Sequence, residues 1–99
     1  MRHYFNIRKL REVNGIVFYH LTTWDYGENN LIFGINCAER FITLYASQNP
    51  DEPIGTVKLT TKEVQMKQHV NVQIIAGIMR QAQRAIDANC FPDILDKVN

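Results

Sequence analysis

Residues 71–89 have the sequence NVQIIAGIMRQAQRAIDAN, and this stretch is predicted to form the one long helix of the chain. Its apolar residues recur at steps of three and four, which places them on one face of an α-helix: Val72, Ile75, Met79, Ala82 and Ile86. Arg80 and Arg84 fall on the opposite side. A helix with this pattern needs an apolar layer to pack on, and the first half of the chain is the only candidate.

The dipeptide Asn14-Gly15 separates two runs, 3–13 and 16–24, that are rich in β-branched and aromatic residues. Both turn residues tolerate a positive φ, so the pattern predicts a β-hairpin with a two-residue turn. Such a turn fixes which residues face each other across the two strands. The predicted pairs are Val13–Ile16, Leu10–Tyr19, Arg8–Leu21, Ile7–Thr22 and Phe5–Trp24.

Further strands are predicted in the middle of the chain. Residues 31–36 and 41–47 favour strands, 48–55 favours an irregular loop because it contains two prolines, and 55–59 favours a short edge strand. The sequence therefore predicts the α+β class. The expected architecture is an antiparallel sheet of four or five strands with the C-terminal helix packed on one face.

The region between the sheet and the long helix carries a helix-start pattern. Thr60 is followed three residues later by Glu63, which is the spacing of a capping box. This predicts a short helix from about Thr61, a break, and then the long helix, although one unbroken helix to Asn89 is the alternative. The 99 residues are expected to form one domain. Its predicted parts are the sheet (1–59), a helical region (60–90) and a C-terminal tail (91–99).

The aromatic residues are concentrated in the predicted sheet, and nine of the ten precede residue 46. One helix covers only one face of a sheet, so aromatic residues on the other face are predicted to meet a protein partner. A homodimer is the first expectation, because two-fold pairs are the commonest oligomers. The predicted interface is Phe5, Phe18, His20 and Trp24. If the helix covers that face instead, the interface passes to Tyr4, Leu10, Tyr19 and Leu21.

The alternative interpretation of this second face is that it is simply solvated. Tyrosine hydroxyls and the long stems of lysine and arginine can make an aromatic surface compatible with water. In the predicted hairpin, Lys9 and Arg11 lie on the face with Phe5 and Trp24, and the tyrosines Tyr4 and Tyr19 lie on the other face with Arg8.

Composition and charge are those of an ordinary soluble protein. The chain is 45% hydrophobic and 21% charged, and its net charge of +1 gives no strong field to attract nucleic acid or an acidic surface. No apolar run approaches the roughly 20 residues that cross a bilayer. Residues 1–6 lack the apolar segment of a signal peptide. We therefore expect a cytoplasmic protein that does not associate with membranes.

No group of residues has the spacing of a catalytic or metal site. Cys37 and Cys90 lie far apart and match no metal or redox spacing, so free thiols are expected. His3, His20 and His69 are scattered along the chain. The acidic loops lack the alternation of calcium ligands, and there is no glycine-rich phosphate loop. The sequence predicts a non-enzymatic protein without catalytic residues, metal or cofactor.

Nucleic-acid binding is the alternative function, in two versions. Residues 61–84 have a loose helix-turn-helix outline, and the hairpin interleaves basic with aromatic residues, a combination that holds single strands by charge and stacking. The acidic residues in the middle of the chain argue against both versions. The candidate contacts are Arg8, Lys9, Arg11, Arg80 and Arg84.

Overall fold

An antiparallel sheet and one helix make up residues 6–23 and 29–96, which are the residues described by the structure, a computed structural model. In chain order the elements are β1 (Asn6–Val13), β2 (Ile16–Thr23), β3 (Asn29–Asn36), β4 (Phe41–Ala46), β5 (Asn49–Lys58), β6 (Glu63–Met66), α1 (Val72–Ala88) and β7 (Ile94–Asp96). The strands lie side by side in the order β6-β5-β4-β3-β2-β1-β7. The predicted α+β class is confirmed, and the sheet has more strands than the four or five expected.

Helix α1 begins and ends where the sequence predicts. Asn71 is the N-cap, and its Oδ1 accepts a hydrogen bond of 2.8 Å from the Gln73 N–H. Asn89 ends the helix in the left-handed conformation at φ 50°, which asparagine tolerates better than most residues. Val72 is 69% exposed, so the predicted apolar stripe is wrong at its first residue. The buried residues of the helix are Ile74, Ile75, Gly77, Ile78, Gln81, Ala82 and Ala85.

The helix packs on the sheet face that carries Tyr19 and Leu21, and both side chains are fully buried. The Tyr19 and Phe33 rings stack with their centroids 5.8 Å apart on neighbouring strands. The small helix residue Ala82 is fully buried in the same core cluster as these two rings. The sequence left open which face the helix takes, and this packing decides it.

The hairpin turn is the predicted one. Asn14 and Gly15 have φ values of 52° and 80°, and Val13 pairs with Ile16. Two consecutive positive φ values give a turn whose twist matches the right-handed twist of the strands. The turn therefore fixes the register at this end of the hairpin.

Replacing Gly15 with alanine is expected to lower the free energy of unfolding by about 1 kcal/mol, because a side chain disfavours positive φ. A Cβ at this position would meet no atom within 4 Å, so the cost comes from the backbone alone. Urea unfolding measures it. Asn14→Gly is the control and should leave stability nearly unchanged; equal losses in both variants would contradict this account of the turn.

A β-bulge in β1 shifts the rest of the hairpin register by one residue. The pairing slips between Lys9 and Arg11, so that Lys9, and not Leu10, lies opposite Tyr19. This slip turns Ile7 onto the face that the helix covers, where it is fully buried. The predicted pairs beyond the bulge are wrong, and the predicted Phe5–Trp24 pair lies outside the described residues. The observed pairs are Arg8–His20, Ile7–Leu21 and Asn6–Thr22.

The predicted capping box is part of a hairpin turn. Glu63 pairs with Lys58 in the ladder between β5 and β6, and Lys62 has a φ of 60° in the turn that joins them. The two apolar residues that follow, Val64 and Met66, alternate with polar ones as in a strand. A helix here would have had no apolar stripe to bury, so the predicted helix near Thr61 is wrong.

This correction removes the helix-turn-helix outline over 61–84, because the first of its two helices does not exist. Helix α1 starts at Val72, so the predicted helical region of 60–90 begins twelve residues too early. Two other parts of the chain also turn out to be strands. Residues 49–55 of the predicted loop belong to β5, whose pairing with β4 has two irregularities, and β7 in the predicted tail pairs with β1.

Candidate functional site

The sheet has a second face, which we call the open face, and its side chains point away from the helix. They alternate along each strand with the buried residues. All described strands belong to the sheet and the described helix lies on its other side, so no described helix or strand covers the open face. The open face carries Arg8, Arg11, Ile16, Phe18, His20, Ile32, Gly34, Phe41, Thr43, Tyr45, Thr56 and Lys58.

Phe18 lies at the centre of the open face, across Gly34. A Cβ on Gly34 would come within 2.9 Å of Phe18 Cε1 and 3.0 Å of Ile16 Cγ2, so the bare backbone is what lets the ring lie over the neighbouring strand. The Arg11 guanidinium sits 4.9 Å from the centroid of the Phe18 ring. On the other side, the Phe18 and Tyr45 rings are 6.3 Å apart at an interplanar angle of 46°.

The apolar residues of the open face form neighbouring rows across the strands. One row joins His20, Ile32 and Tyr45, and the row beyond Phe18 joins Ile16 to Phe41 through Asn36. These apolar side chains are half-buried and exposed to solvent on their outer side. A contiguous half-exposed patch of this kind is typical of interaction surfaces.

The predicted interface falls partly on this face. Phe18 and His20 lie on it, side by side along β2, while Phe5 and Trp24 lie outside the described residues. In the alternative set, Tyr19 and Leu21 are buried under the helix, Leu10 is 46% exposed at the bulge, and Tyr4 lies outside the described residues.

Sequence reasoning missed the contributions of the middle strands to this face. Ile32, Phe41 and Tyr45 were not among the predicted interface residues. The alternation of Phe41, Thr43 and Tyr45 in β4 was a usable signal. It could not be combined with β2, because the register between strands that are joined by loops does not follow from alternation.

The predicted nucleic-acid contacts do not come together on one surface. Arg8 and Arg11 lie on the open face, whereas Lys9 pairs across the ladder with the buried Tyr19. Arg80 and Arg84 are exposed on the helix, in the other layer of the molecule. Any nucleic-acid site must therefore use the sheet cations or the helix cations separately.

The described part of the chain contains few side chains that could act as nucleophiles, bases or metal ligands. Burial raises the pKa of the half-buried Cys37 thiol, which lowers the fraction of reactive thiolate. Cys90 and His69 are exposed. Within residues 6–23 and 29–96, no three His, Cys, Asp or Glu side chains are grouped closely enough to hold a metal ion. No helix of these residues has the length and hydropathy needed to cross a bilayer.

The buried hydroxyl of Tyr19 ties the chain after the helix to the sheet, because it donates a 2.9 Å hydrogen bond to the Pro92 carbonyl. Desolvation, followed by the nearby charges of Cys90 and Asp93, raises the pKa of Tyr19 from 10.0 to about 12. The Lys9 N–H also bonds to the Asp93 carbonyl at 2.8 Å. These bonds hold the segment that leads from α1 into β7.

The raised pKa of Tyr19 predicts a loss of stability at alkaline pH. The unfolded phenol loses its proton near pH 10.0 and the folded one near 12, so this contribution is complete below pH 10.0 and is lost as pH rises through 12. We expect Tyr19→Phe to be less stable than wild type at neutral pH, by about 1 kcal/mol for the lost hydrogen bond. The difference should shrink as pH rises. Urea unfolding at several pH values measures it, and a pH-independent difference would contradict the account.

Comparison with models of known protein families, with curated proteins and with solved structures finds no match. The geometry of the open face and of the helix layer is therefore the basis for a functional proposal.

Proposed function

We propose that this chain is a small, non-enzymatic interaction protein that pairs with a second copy of itself through the open face. One observation carries the proposal. Half-exposed apolar side chains from three adjacent strands lie in register on a face that no described helix or strand covers: Ile16, Phe18, Ile32, Phe41 and Tyr45.

The size and shape of the open face support a two-fold dimer. The molecule measures 32 × 28 × 26 Å, so a whole sheet face is comparable to the roughly 800 Å² per partner that a standard interface buries. Two sheets can pack face to face about 10 Å apart with their side chains interdigitated. In a two-fold dimer the same surface patch of each copy contacts the other copy. The one apolar patch on the open face is therefore sufficient to form the interface.

The absence of catalysis is part of the same proposal. The raised pKa of Cys37 supports it, because burial keeps more of that thiol protonated and therefore less nucleophilic. A cytoplasmic location also remains part of the proposal.

Hydroxyl-radical footprinting at low and high protein concentration tests the dimer at the level of residues. We expect labelling of Phe18 and Tyr45 to fall as concentration rises, because the partner sheet would cover both rings. Val72, which is 69% exposed on the helix, is the internal control and should be labelled equally at both concentrations. Labelling of the two rings that does not depend on concentration would contradict the proposal.

Single-stranded nucleic acid is a second candidate for the open face, favoured by the Arg11 guanidinium 4.9 Å from the Phe18 ring. Arg8 lies on the same face, next to His20 in the ladder. Cations beside exposed rings can bind phosphates while bases stack on the aromatic surface.

Fluorescence anisotropy with a labelled oligothymidine tests this candidate. The Arg8→Gln/Arg11→Gln double variant should weaken binding and reduce the slope of log affinity against log salt by about 0.7 per lost phosphate contact. The matched control is Arg80→Gln/Arg84→Gln, with the same charge change on the helix. Equal effects of the two double variants would rule out a site on the open face.

A further inference from the structure

A groove of about 390 Å³ runs along the helix beside the turn between β5 and β6, away from the open face. Apolar side chains form its floor, namely Leu59 from the turn and Ala76 and Met79 from the helix. Leu59 is buried and Met79 half-buried, so the floor is continuous with the core. The volume lies within the range of pockets that bind small molecules.

Three cations line the same groove: Lys62, Arg80 and Arg84. Its one acidic side chain, Asp87, already accepts a hydrogen bond of 2.9 Å from Gln83 and forms a 3.5 Å ion pair with Arg40. Within the described residues, no ion pair engages the three lining cations. The groove therefore combines an apolar floor with an excess of positive charge.

We propose that this groove binds a small amphiphilic anion, a medium-chain carboxylate, with its apolar body on the floor and its carboxylate among Lys62, Arg80 and Arg84. Charge complementarity selects the head group, since a guanidinium binds a carboxylate with paired hydrogen bonds. The apolar floor selects against a free inorganic anion, which would leave Leu59 and Met79 exposed. This site lies in the helix layer and does not depend on the open face.

The backbone of the two turns beside the groove offers a variant that removes one cation without disturbing the fold. Lys62 and Arg40 have φ values of 60° and 51°, and the Leu59 N–H donates a 2.9 Å bond to the Arg40 carbonyl, which joins the two turns. Glycine adopts these φ values at no steric cost. Lys62→Gly is therefore expected to retain the turn while removing the ammonium group together with its aliphatic stem.

Isothermal titration calorimetry of the full chain with decanoate tests the proposal. We expect decanoate to bind, and both decanol and acetate to bind at least about tenfold more weakly. Decanol lacks the carboxylate that would contact the cations, and acetate lacks the apolar chain that would cover the floor. Failure of decanoate to bind, or equal binding of decanol, would overturn the proposal.

Variants assign the binding to the groove. Arg80→Gln/Arg84→Gln and Lys62→Gly should each weaken decanoate binding, by about tenfold for the double variant. Ala76→Glu, at an exposed helix position, should block the floor with bulk and like charge. Arg8→Gln/Arg11→Gln is the matched control on the open face and should bind decanoate as wild type does. Equal weakening by this control would overturn the assignment, and circular dichroism verifies that each variant is folded.

Discussion

Replacing Ile32 with aspartate should convert a dimer of this protein into a folded monomer. Ile32 lies on the open face between His20 and Tyr45, and its side chain is half-buried, so an aspartate there reaches water in the monomer. In a two-fold dimer both copies would bring the carboxylate into the contact. Burying unpaired charges costs about 3 kcal/mol or more, which weakens association at least ~100-fold.

Light scattering during size exclusion measures this effect, and two further variants make it specific. Ile32→Thr keeps a β-branched residue in the strand, so it should weaken the dimer less while preserving the fold. Val72→Asp introduces the same charge at a helix position that is 69% exposed, where an acid near the N-terminus is tolerated. Dissociation caused equally by Val72→Asp would show that the added charge, and not the open face, is responsible.

Replacing the next residue in β3, Phe33, with alanine should damage the fold itself. Phe33 is fully buried on the other side of the sheet and stacks on the Tyr19 ring at 5.8 Å. Deleting a buried phenylalanine side chain costs about 3–5 kcal/mol through lost burial and the cavity that remains. Domains of this size have only about 5–15 kcal/mol of stability, so the variant should be close to unfolding.

Urea unfolding at low protein concentration, where the monomer predominates, measures the loss for Phe33→Ala. Phe41→Ala is the matched control because it removes the same side chain from a half-buried position on the open face. Its cost should be less than half as large. Equal costs would contradict the assignment of the two faces of the sheet to core and interaction surface.

Local signals in the sequence predict the elements whose geometry they determine directly. The amide side chain of Asn71 caps the helix start, Asn89 can adopt the left-handed conformation at its end, and Asn14-Gly15 specifies its own turn. In each case two to four neighbouring residues decide the outcome. The α+β class follows from these elements and from the apolar helix stripe.

The errors arise where a local signal competes with distant pairing. The spacing of Thr60 and Glu63 satisfies a capping box, but Glu63 pairs with Lys58 in the ladder between β5 and β6, in which the fully buried Val57 pairs with Val64. The bulge between Lys9 and Arg11 has no local marker. It becomes necessary only because Ile7 must reach the core beneath the helix.

The residues of the open face could be predicted only where a local pattern places them. Phe18 and His20 follow from alternation within β2 and were predicted. Ile32 and Tyr45 join them only through the registers of β2 with β3 and of β3 with β4, which depend on contacts that no local pattern records. The groove beside Lys62 could not be predicted from the sequence. It is formed in part by the turn between β5 and β6, and the sequence analysis predicted the start of a helix at that place.

The molar mass of the wild-type protein by light scattering, over a range of concentrations at low and high salt, tests directly whether two copies pair through the open face. An apolar interface should persist in high salt, because screening weakens charge contacts but not the burial of apolar surface. We expect a mass of twice the monomer value of 11.5 kDa as concentration rises, in both salts. A mass that stays at 11.5 kDa throughout would contradict self-association through the open face.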